Sequence, residues 1–345
     1  MKKYFIADAH IDLSDNIIFG KKVWARNEFY YSQPLPKTFP IADQFNMKLW
    51  QKAKSPNLIG GVLCPIKFTK KGNLAVPKDP LHELLRHLMV YRFIESESGG
   101  KVTFIKNKSD ITKSFKNGKL NIFLHIEGLL FIQEKIDIEM VQLLWDLGIR
   151  SIGIMHSEKS PLGGIEEQYR KDPGLTKLGV NLVRKISQLG IILDLAHASD
   201  QTQKDILKLS DNKVMVSHTH IRQGVGDPGT HLNILKEVIT KGGYVGFHFI
   251  KKRYLYKDAS PIDTLVDEMK KFANLFGTKN FGLGSDFDGM RKINQIPGLE
   301  NITKYSVLAK KLKKAGFSNE ETGRIMGKNL AKFLISSLPG NNANI

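Results

Sequence analysis

Apolar positions along this chain follow two alternating patterns. Compact runs of Val, Ile, Leu and Phe alternate with longer stretches whose apolar residues recur at helical spacing. Several segments share one order: the end of a helix, a glycine, an apolar run, and then a histidine or an acid. "MVQLLWDLGIRSIGIMHS" (140–157) passes through Gly148 to His156, and "LVRKISQLGIILDLAHAS" (182–199) passes through Gly190 to His197. "ITKGGYVGFHF" (239–249) leads through Gly242 and Gly243 to His248, and "FANLFGTKNFGLGSDFDG" (272–289) through Gly277 to Asp286. The runs in "LNIFLHIEG" (120–128) and "VMVSHTH" (214–220) end at Glu127 and His218.

A glycine just past a helix is the usual left-handed stop. Short β-rich runs between amphipathic helices imply βαβ units and a parallel sheet. The pattern predicts eight strands, at 4–12, 58–66, 121–127, 151–156, 191–197, 214–218, 244–249 and 281–286. Eight such units fit an α/β fold of the (β/α)8 TIM-barrel type, with the functional end at the C-terminal ends of the strands. An open doubly wound sheet is the alternative, disfavoured because no glycine fingerprint follows the first strand. One domain is expected over 1–338, with an aromatic- and proline-rich insertion at about 20–56 and a flexible tail over 339–345. Ser318 and Glu321 have the spacing of a capping box opening the last helix.

Composition narrows the function classes. The chain has 345 residues and 41% hydrophobic content, enough for a large core, and no apolar run long enough to cross a bilayer. The opening "MKKYFIADAH" breaks at Asp8, too early for a signal peptide, and the C-terminal end carries no anchor signal. Cys64 is the one cysteine, so no intramolecular disulfide forms. A cytoplasmic location with no membrane anchor is the resulting expectation. The net charge of +18 raises nucleic acid as a partner, but the basic residues are scattered lysine pairs such as Lys251-Lys252 and Lys310-Lys311. In "YSVLAKKLKKAGF" (305–317) they alternate with an apolar stripe, as on a solvated helix face. No specific nucleic-acid binding is expected.

The chemistry lies in where the metal-capable residues fall. His10 and Asp12, two apart, share one face of the first strand. Glu127, His156, His197, His218 and Asp286 end the third, fourth, fifth, sixth and eighth strands. In a barrel all of these converge on one mouth. His248 reads as a strand-end residue. Imidazoles and carboxylates without thiolate suit Zn²⁺, with Mn²⁺, Co²⁺ or Fe²⁺ as alternatives. The set is larger than one catalytic zinc needs, so two ions sharing a carboxylate fit better.

"DAHIDL", "HIEG", "MHSEKSPLG", "LDLAHAS", "VSHTH" and "GSDFDG" together resemble the successive motifs of the membrane (renal) dipeptidase family of zinc metallopeptidases, within the amidohydrolase-like barrels. The resemblance runs nearly end to end. It implies that His10, Asp12 and Glu127 hold one zinc, and that Glu127, His197 and His218 hold the other, with Glu127 bridging. It implies that His156 binds substrate and stabilises the oxyanion, and that Asp286 moves protons between the nucleophilic water and the leaving amine. The implied activity is hydrolysis of dipeptides by a metal-bridging hydroxide, including dipeptides with a C-terminal D-residue. Family members are often homodimers, so self-association is compatible with the resemblance.

One departure concerns the substrate. The family places an Arg-Asn pair about a dozen residues after the position of His218, where the arginine grips the dipeptide carboxylate. Here the corresponding stretch reads His231-Leu232-Asn233. Histidine does not replace a forked guanidinium. Arg222, with His231, is the nearby candidate for substrate binding. The missing arginine also keeps a second reading open, an amidohydrolase acting on N-acyl amino acids or another small amide.

Overall fold

The computed structural model describes residues 4–18, 43–68, 74–166, 171–224, 226–255 and 259–340. Its strands are β1 (Ala7–Ile11), β2 (Leu58–Leu63), β3 (Lys67–Phe68), β4 (Leu74–Ala75), β5 (Val102–Phe104), β6 (Leu120–Glu127), β7 (Ile149–Gly153), β8 (Ile192–Asp194), β9 (Val214–Thr219), β10 (Tyr244–Phe247) and β11 (Phe281–Leu283). Eight of them run parallel in the order β2-β1-β11-β10-β9-β8-β7-β6, and a β2–β6 ladder closes the ring. The fold is the expected (β/α)8 barrel. Every predicted strand is present.

Two features were not predicted. β5 pairs with the first half of β6, at Leu120–Ile122, on the edge that β7 takes over from Leu124 onward. At three residues, Val102–Phe104 is too short to stand out as a periodic run. β3 and β4 form a small antiparallel hairpin outside the barrel. Several strands also end earlier than expected. β8 stops at Asp194 and β11 at Leu283 because the chain then turns through left-handed residues, His197 (φ 63°) and Asp286 (φ 60°). Most of the insertion expected at 20–56 lies outside the described residues, as do 341–345 of the tail. Its described end forms the helix Met47–Ala53, capped by Asn46 and anchored by the buried Trp50.

Helices cover the ring because their apolar faces are buried there. Lys177–Gln188 buries Leu182, Val183 and Ile186, and Pro261–Phe276 buries Leu265, Met269 and Phe272. Tyr305–Lys314 buries Tyr305, Leu308 and Leu312 and leaves Lys310, Lys313 and Lys314 in water, as its alternation implied. The capping box at Ser318 is formed, with the Glu321 amide donating to Ser318 Oγ and the Ser318 amide to Glu321 Oε2. Beyond it the helix Asn329–Ser337 lays Leu330, Phe333 and Leu334 against Ala7, Leu58, Phe123 and Tyr244, which seals the N-terminal end of the barrel.

The C-terminal half of the barrel interior is polar. Gly246 and Gly284 make room for it: a Cβ on either would sit 1.9 or 1.8 Å from the Ser217 carbonyl oxygen. Only the absence of a side chain lets these strands approach that closely. Gly284→Ala is expected to cost about 1–3 kcal/mol or more through forced displacement of β9. A thermal melt coinciding with that of the unsubstituted chain would show that the barrel yields there at no cost.

Candidate metal centre

Glu127 ends β6 at the centre of the barrel mouth, and four imidazoles surround its carboxylate. Its Oε1 lies 3.0 Å from His197 Nε2, 3.4 Å from His10 Nε2 and 3.7 Å from His218 Nε2, while its Oε2 lies 3.9 Å from His156 Nε2. Asp12 Oδ2 is 3.6 Å from His10 Nε2. The ligand atoms of His10, Glu127 and His218 fit within one coordination sphere, and so do those of His10, Asp12 and Asp286. All seven residues expected at the mouth are therefore brought together. All but Asp286 and His197 are buried outright.

The hydrogen bonds behind the imidazoles decide which ring nitrogen faces inward. Ser217 Oγ donates its single proton to Asp194 Oδ2, and lies 3.0 Å from His218 Nδ1 and 3.3 Å from His10 Nδ1. With its proton committed, the hydroxyl can only accept from those two rings. His10 and His218 thus carry their protons on Nδ1 and turn bare Nε2 atoms toward Glu127. On the other side, His197 Nδ1 is 3.1 Å from Glu166 Oε1, and His156 Nδ1 is 2.7 Å from Glu158 Oε2. A carboxylate behind the ring is the usual support of a metal-ligating histidine. Asp194 also bonds the Ser217 amide (2.7 Å) and faces His125 Nε2 at 3.2 Å.

The charges at this point call for a cation. Burial and the carboxylates of Glu127, Asp15 and Asp286 push Asp12 well above the ordinary carboxyl range. Asp286 is pushed up to about 8 by burial and by Glu127. Burial alone would raise Glu127, but His10, His156 and His197 hold it well below the usual value. His197 is raised despite its burial, because Glu166 and Glu127 flank it, whereas burial and the neighbouring His197 lower His218 to about 4. Among the described residues, His10 Nε2 and Asp12 Oδ2 are buried and make no hydrogen bond. Unpaired donors and acceptors at such depth are costly. Cys64 also lines the site beside Glu127 and His156, its thiol pushed up by burial, and bare imidazole nitrogens with crowded carboxylates fit divalent transition metals of the zinc type. Strain accompanies the arrangement, with His197, Asp286 and Asp288 all left-handed at φ 60–69°.

The site opens into a cavity of about 540 Å³ lined by Glu127, His156, His197, His218 and Asp286. Arg222 and His231 do not line it. The Arg222 guanidinium donates to Asp200 Oδ2 (2.7 Å) and to the Gly229 carbonyl (2.8 Å), holding the loop after β9. His231 is exposed and caps the helix Leu232–Thr240, its Nδ1 accepting from the Asn233 amide. Several functional neighbours had escaped the sequence reading: His125, Asp194, Ser217, Glu166 and His220. Two had a usable signal, since His125 stands two before Glu127 and His220 two after His218, the spacing that paired His10 with Asp12. His248 is more than a strand end. It faces the cavity with its Nε2 3.0 Å from His220 Nδ1.

A sequence model of the membrane dipeptidase family, peptidase family M19, matches residues 21–336. The chain belongs to this family of metal-dependent dipeptidases. An uncharacterized dipeptidase of Schizosaccharomyces pombe is 28% identical over 270 residues, covering 74% of this chain and 62% of the relative. Dipeptidase verJ of Clonostachys rogersoniana is 25% identical over 293 residues, covering 81% of this chain and 73% of that one. The metallopeptidase dipeptidase AC superposes with a TM-score of 0.80 at 17% identity, covering 97% of this chain and 99% of its own. A Rhodobacter sphaeroides metallopeptidase bound to a phosphinate mimic of L-Ala-D-Ala gives 0.78 at 16% identity, covering 97% of this chain and all of that one. Among the described residues no helix is long and apolar enough to cross a membrane.

Two residues outside the centre, a glycine beside its carboxylates and a buried acid under the loop after β9, each give a test. A Cβ on Gly289 would lie 2.3 Å from Asp286 Oδ1 and 2.5 Å from Asp12 Oδ2. Gly289→Ala should therefore weaken metal affinity roughly tenfold or more, read by competition with a chelator; equal affinity would mean the carboxylates are not held by that turn. Glu268, buried under the loop after His220, accepts from the Ile221 amide at 2.6 Å. Burial pushes its carboxyl up to about 7 from an ordinary 4.5. The native state then binds the proton more tightly than the unfolded chain. The contribution is complete below about pH 4.5 and is lost as pH rises through about 7, a change on the order of 3 kcal/mol. Glu268→Gln should leave the melting temperature unchanged at pH 4 and raise it at pH 8; equal melting at both would refute the buried-acid account.

Proposed function

We propose that the chain is a dizinc dipeptidase that hydrolyses the peptide bond of free dipeptides, including those with a C-terminal D-residue. The observation that carries this reading is the convergence of four imidazole Nε2 atoms and Asp12 on one carboxylate, Glu127, inside a cavity of small-molecule size. His10, Asp12 and Glu127 would hold one ion, and Glu127, His197 and His218 the other. Such ions supply a Lewis acid for the scissile carbonyl and ionise a water near neutral pH. The family membership supports peptide substrates, and the phosphinate mimic of L-Ala-D-Ala bound by the Rhodobacter relative supports tolerance of a D-residue.

The chain's own residues supply the remaining steps. His156, held from behind by Glu158, points its Nε2 into the cavity and donates to the carbonyl oxygen as negative charge develops there. Asp286 is fixed by its amide, which donates to the His10 carbonyl at 3.1 Å, and its carboxyl faces the same cavity. It accepts a proton from the attacking water and passes it to the amide nitrogen as the C–N bond breaks. Two free amino acids leave. Burial of the Glu127, His10 and Asp12 side chains keeps bulk water from screening these charges.

The deciding experiment is amino-acid release by zinc-loaded protein from L-L and L-D dipeptides and from N-acyl amino acids. Rapid release from dipeptides is expected. Activity confined to acyl amino acids would replace the dipeptidase with an amidohydrolase on the same frame. Asp286→Asn should retain both metal ions by elemental analysis and lose at least about a hundredfold in kcat; full turnover in that variant would remove Asp286 from the proton path.

A further inference from the structure

The substrate of a dipeptidase carries its own anion close to the reacting bond. Only the amide nitrogen and one Cα separate the scissile carbon from the C-terminal carboxylate, so the group that binds this carboxylate must stand in the same cavity. The side chain expected for that task, Arg222, is committed to Asp200 and Gly229. The cations that do line the cavity, Lys252, Arg253 and Arg291, come from the turns after β10 and β11.

We propose that Lys252 and Arg253 form a carboxylate-binding subsite that holds the C-terminal end of the dipeptide. The inference rests on the dipeptidase reading above. Among the described residues Lys252 has no ion pair or hydrogen bond from its side chain, and Arg253 has one distant acid, Asp227, at 3.9 Å. That carboxylate is already occupied by nearer donors: it lies 2.6 Å from His220 Nε2 and accepts from the Gln223 amide at 2.8 Å and the Gly229 amide at 3.3 Å. The forked donors of Arg253 are therefore left to face the cavity, where they match the two oxygens of a carboxylate. Lysines without an ion pair are common elsewhere on the described surface, and what sets Lys252 apart is its place in the cavity wall beside Arg253.

The turn that carries the two cations is tied by backbone and side-chain bonds. The Arg253 amide donates to the Ile250 carbonyl at 3.0 Å, and Ile250 pairs with Gln295 in an antiparallel bridge that ties the turn to the loop after β11. Buried Tyr254 pins its far end, donating from its hydroxyl to the His248 carbonyl at 2.9 Å. The like charges on this turn repel: burial, Arg253 and Arg291 together hold the Lys252 ammonium below its ordinary value. A bound carboxylate relieves that repulsion. Glu166, the acid behind His197, lines the same cavity as Lys252 and Arg253, so the subsite adjoins the metal centre.

The test is a comparison of alanylalanine with its C-terminal amide on zinc-loaded protein, for the unsubstituted chain and for Arg253→Gln, Lys252→Gln and Arg253→Lys. The unsubstituted chain is expected to prefer the free acid. Arg253→Gln should lower kcat/KM for the acid roughly 10- to 100-fold, chiefly through KM, and collapse the acid-to-amide ratio toward one. Lys252→Gln should do so in smaller measure, and Arg253→Lys should recover part of the preference. Melting temperature and zinc content confirm that each variant is folded and loaded. A preference that persists in both glutamine variants overturns the subsite. So does indifference of the unsubstituted chain to amidation, which leaves the dipeptidase reading standing. Cleavage of neither compound overturns both.

Discussion

Ser217 is the point on which the metal centre turns. Its hydroxyl has one proton, and Asp194 takes it. Everything after that is a matter of counting lone pairs. The oxygen can only accept from His10 and His218, so two imidazoles on different strands are set to one tautomer by one atom. Its amide is bound by the other oxygen of Asp194, and its carbonyl lies in the space that Gly246 and Gly284 leave open. Backbone, hydroxyl and neighbours are all fixed. A barrel interior filled with aliphatic side chains would be more cohesive, but it could not aim two ring nitrogens at a common point. Stability in the upper half of this barrel has been exchanged for orientation, while the apolar plug beneath, around Phe123, Tyr244 and Leu334, carries the packing.

The outer half of the centre uses a different device for the same end. Glu158 and Glu166 stand behind His156 and His197 as full carboxylates, held below their ordinary values because the bond to the ring outweighs their burial. The inner imidazoles thus receive a neutral hydroxyl partner and the outer ones a charged partner. A carboxylate behind a ring makes the opposite nitrogen a stronger donor of electrons, and a hydroxyl does so less. The two halves of the centre are therefore not equivalent, although the residue types are the same.

Much of this was legible in the sequence. Gly148, Gly190 and Gly277 stop helices, and the β-rich runs that follow them are the barrel strands, so strand count and order could be read directly. His10, Glu127, His197 and His218 were found because strand ends in a closed barrel have nowhere to point but the mouth. What escaped did so for physical reasons. Ser217 and Asp194 carry no chemistry of their own, and their importance lies in partners 23 residues apart in sequence. His125 and His220 obey the alternation that exposed Asp12, but each is overshadowed by the candidate ligand two residues away. Val102–Phe104 gains its strand character from the edge of β6 and not from its own pattern. Lys252 reads as one member of an ordinary lysine pair, and only the antiparallel bridge from Ile250 to Gln295 turns it toward the cavity.

The first strand sits between an early neighbour and a late one. β1 pairs with β2 on one side and with β11 on the other, and Asp8 within it accepts from the Ser285 amide and the Tyr305 hydroxyl. The residues that open the candidate metal centre therefore precede those that complete it, around Asp286, by nearly the whole length of the barrel. At ordinary rates of translation the interval is roughly 15 to 55 seconds. Until β11 has been made, a nascent chain carries His10 and Asp12 without the strand that closes the ring over them. The two sides of the mouth meet only where β11 seats beside β1, so the candidate centre is assembled by the closing of the ring itself.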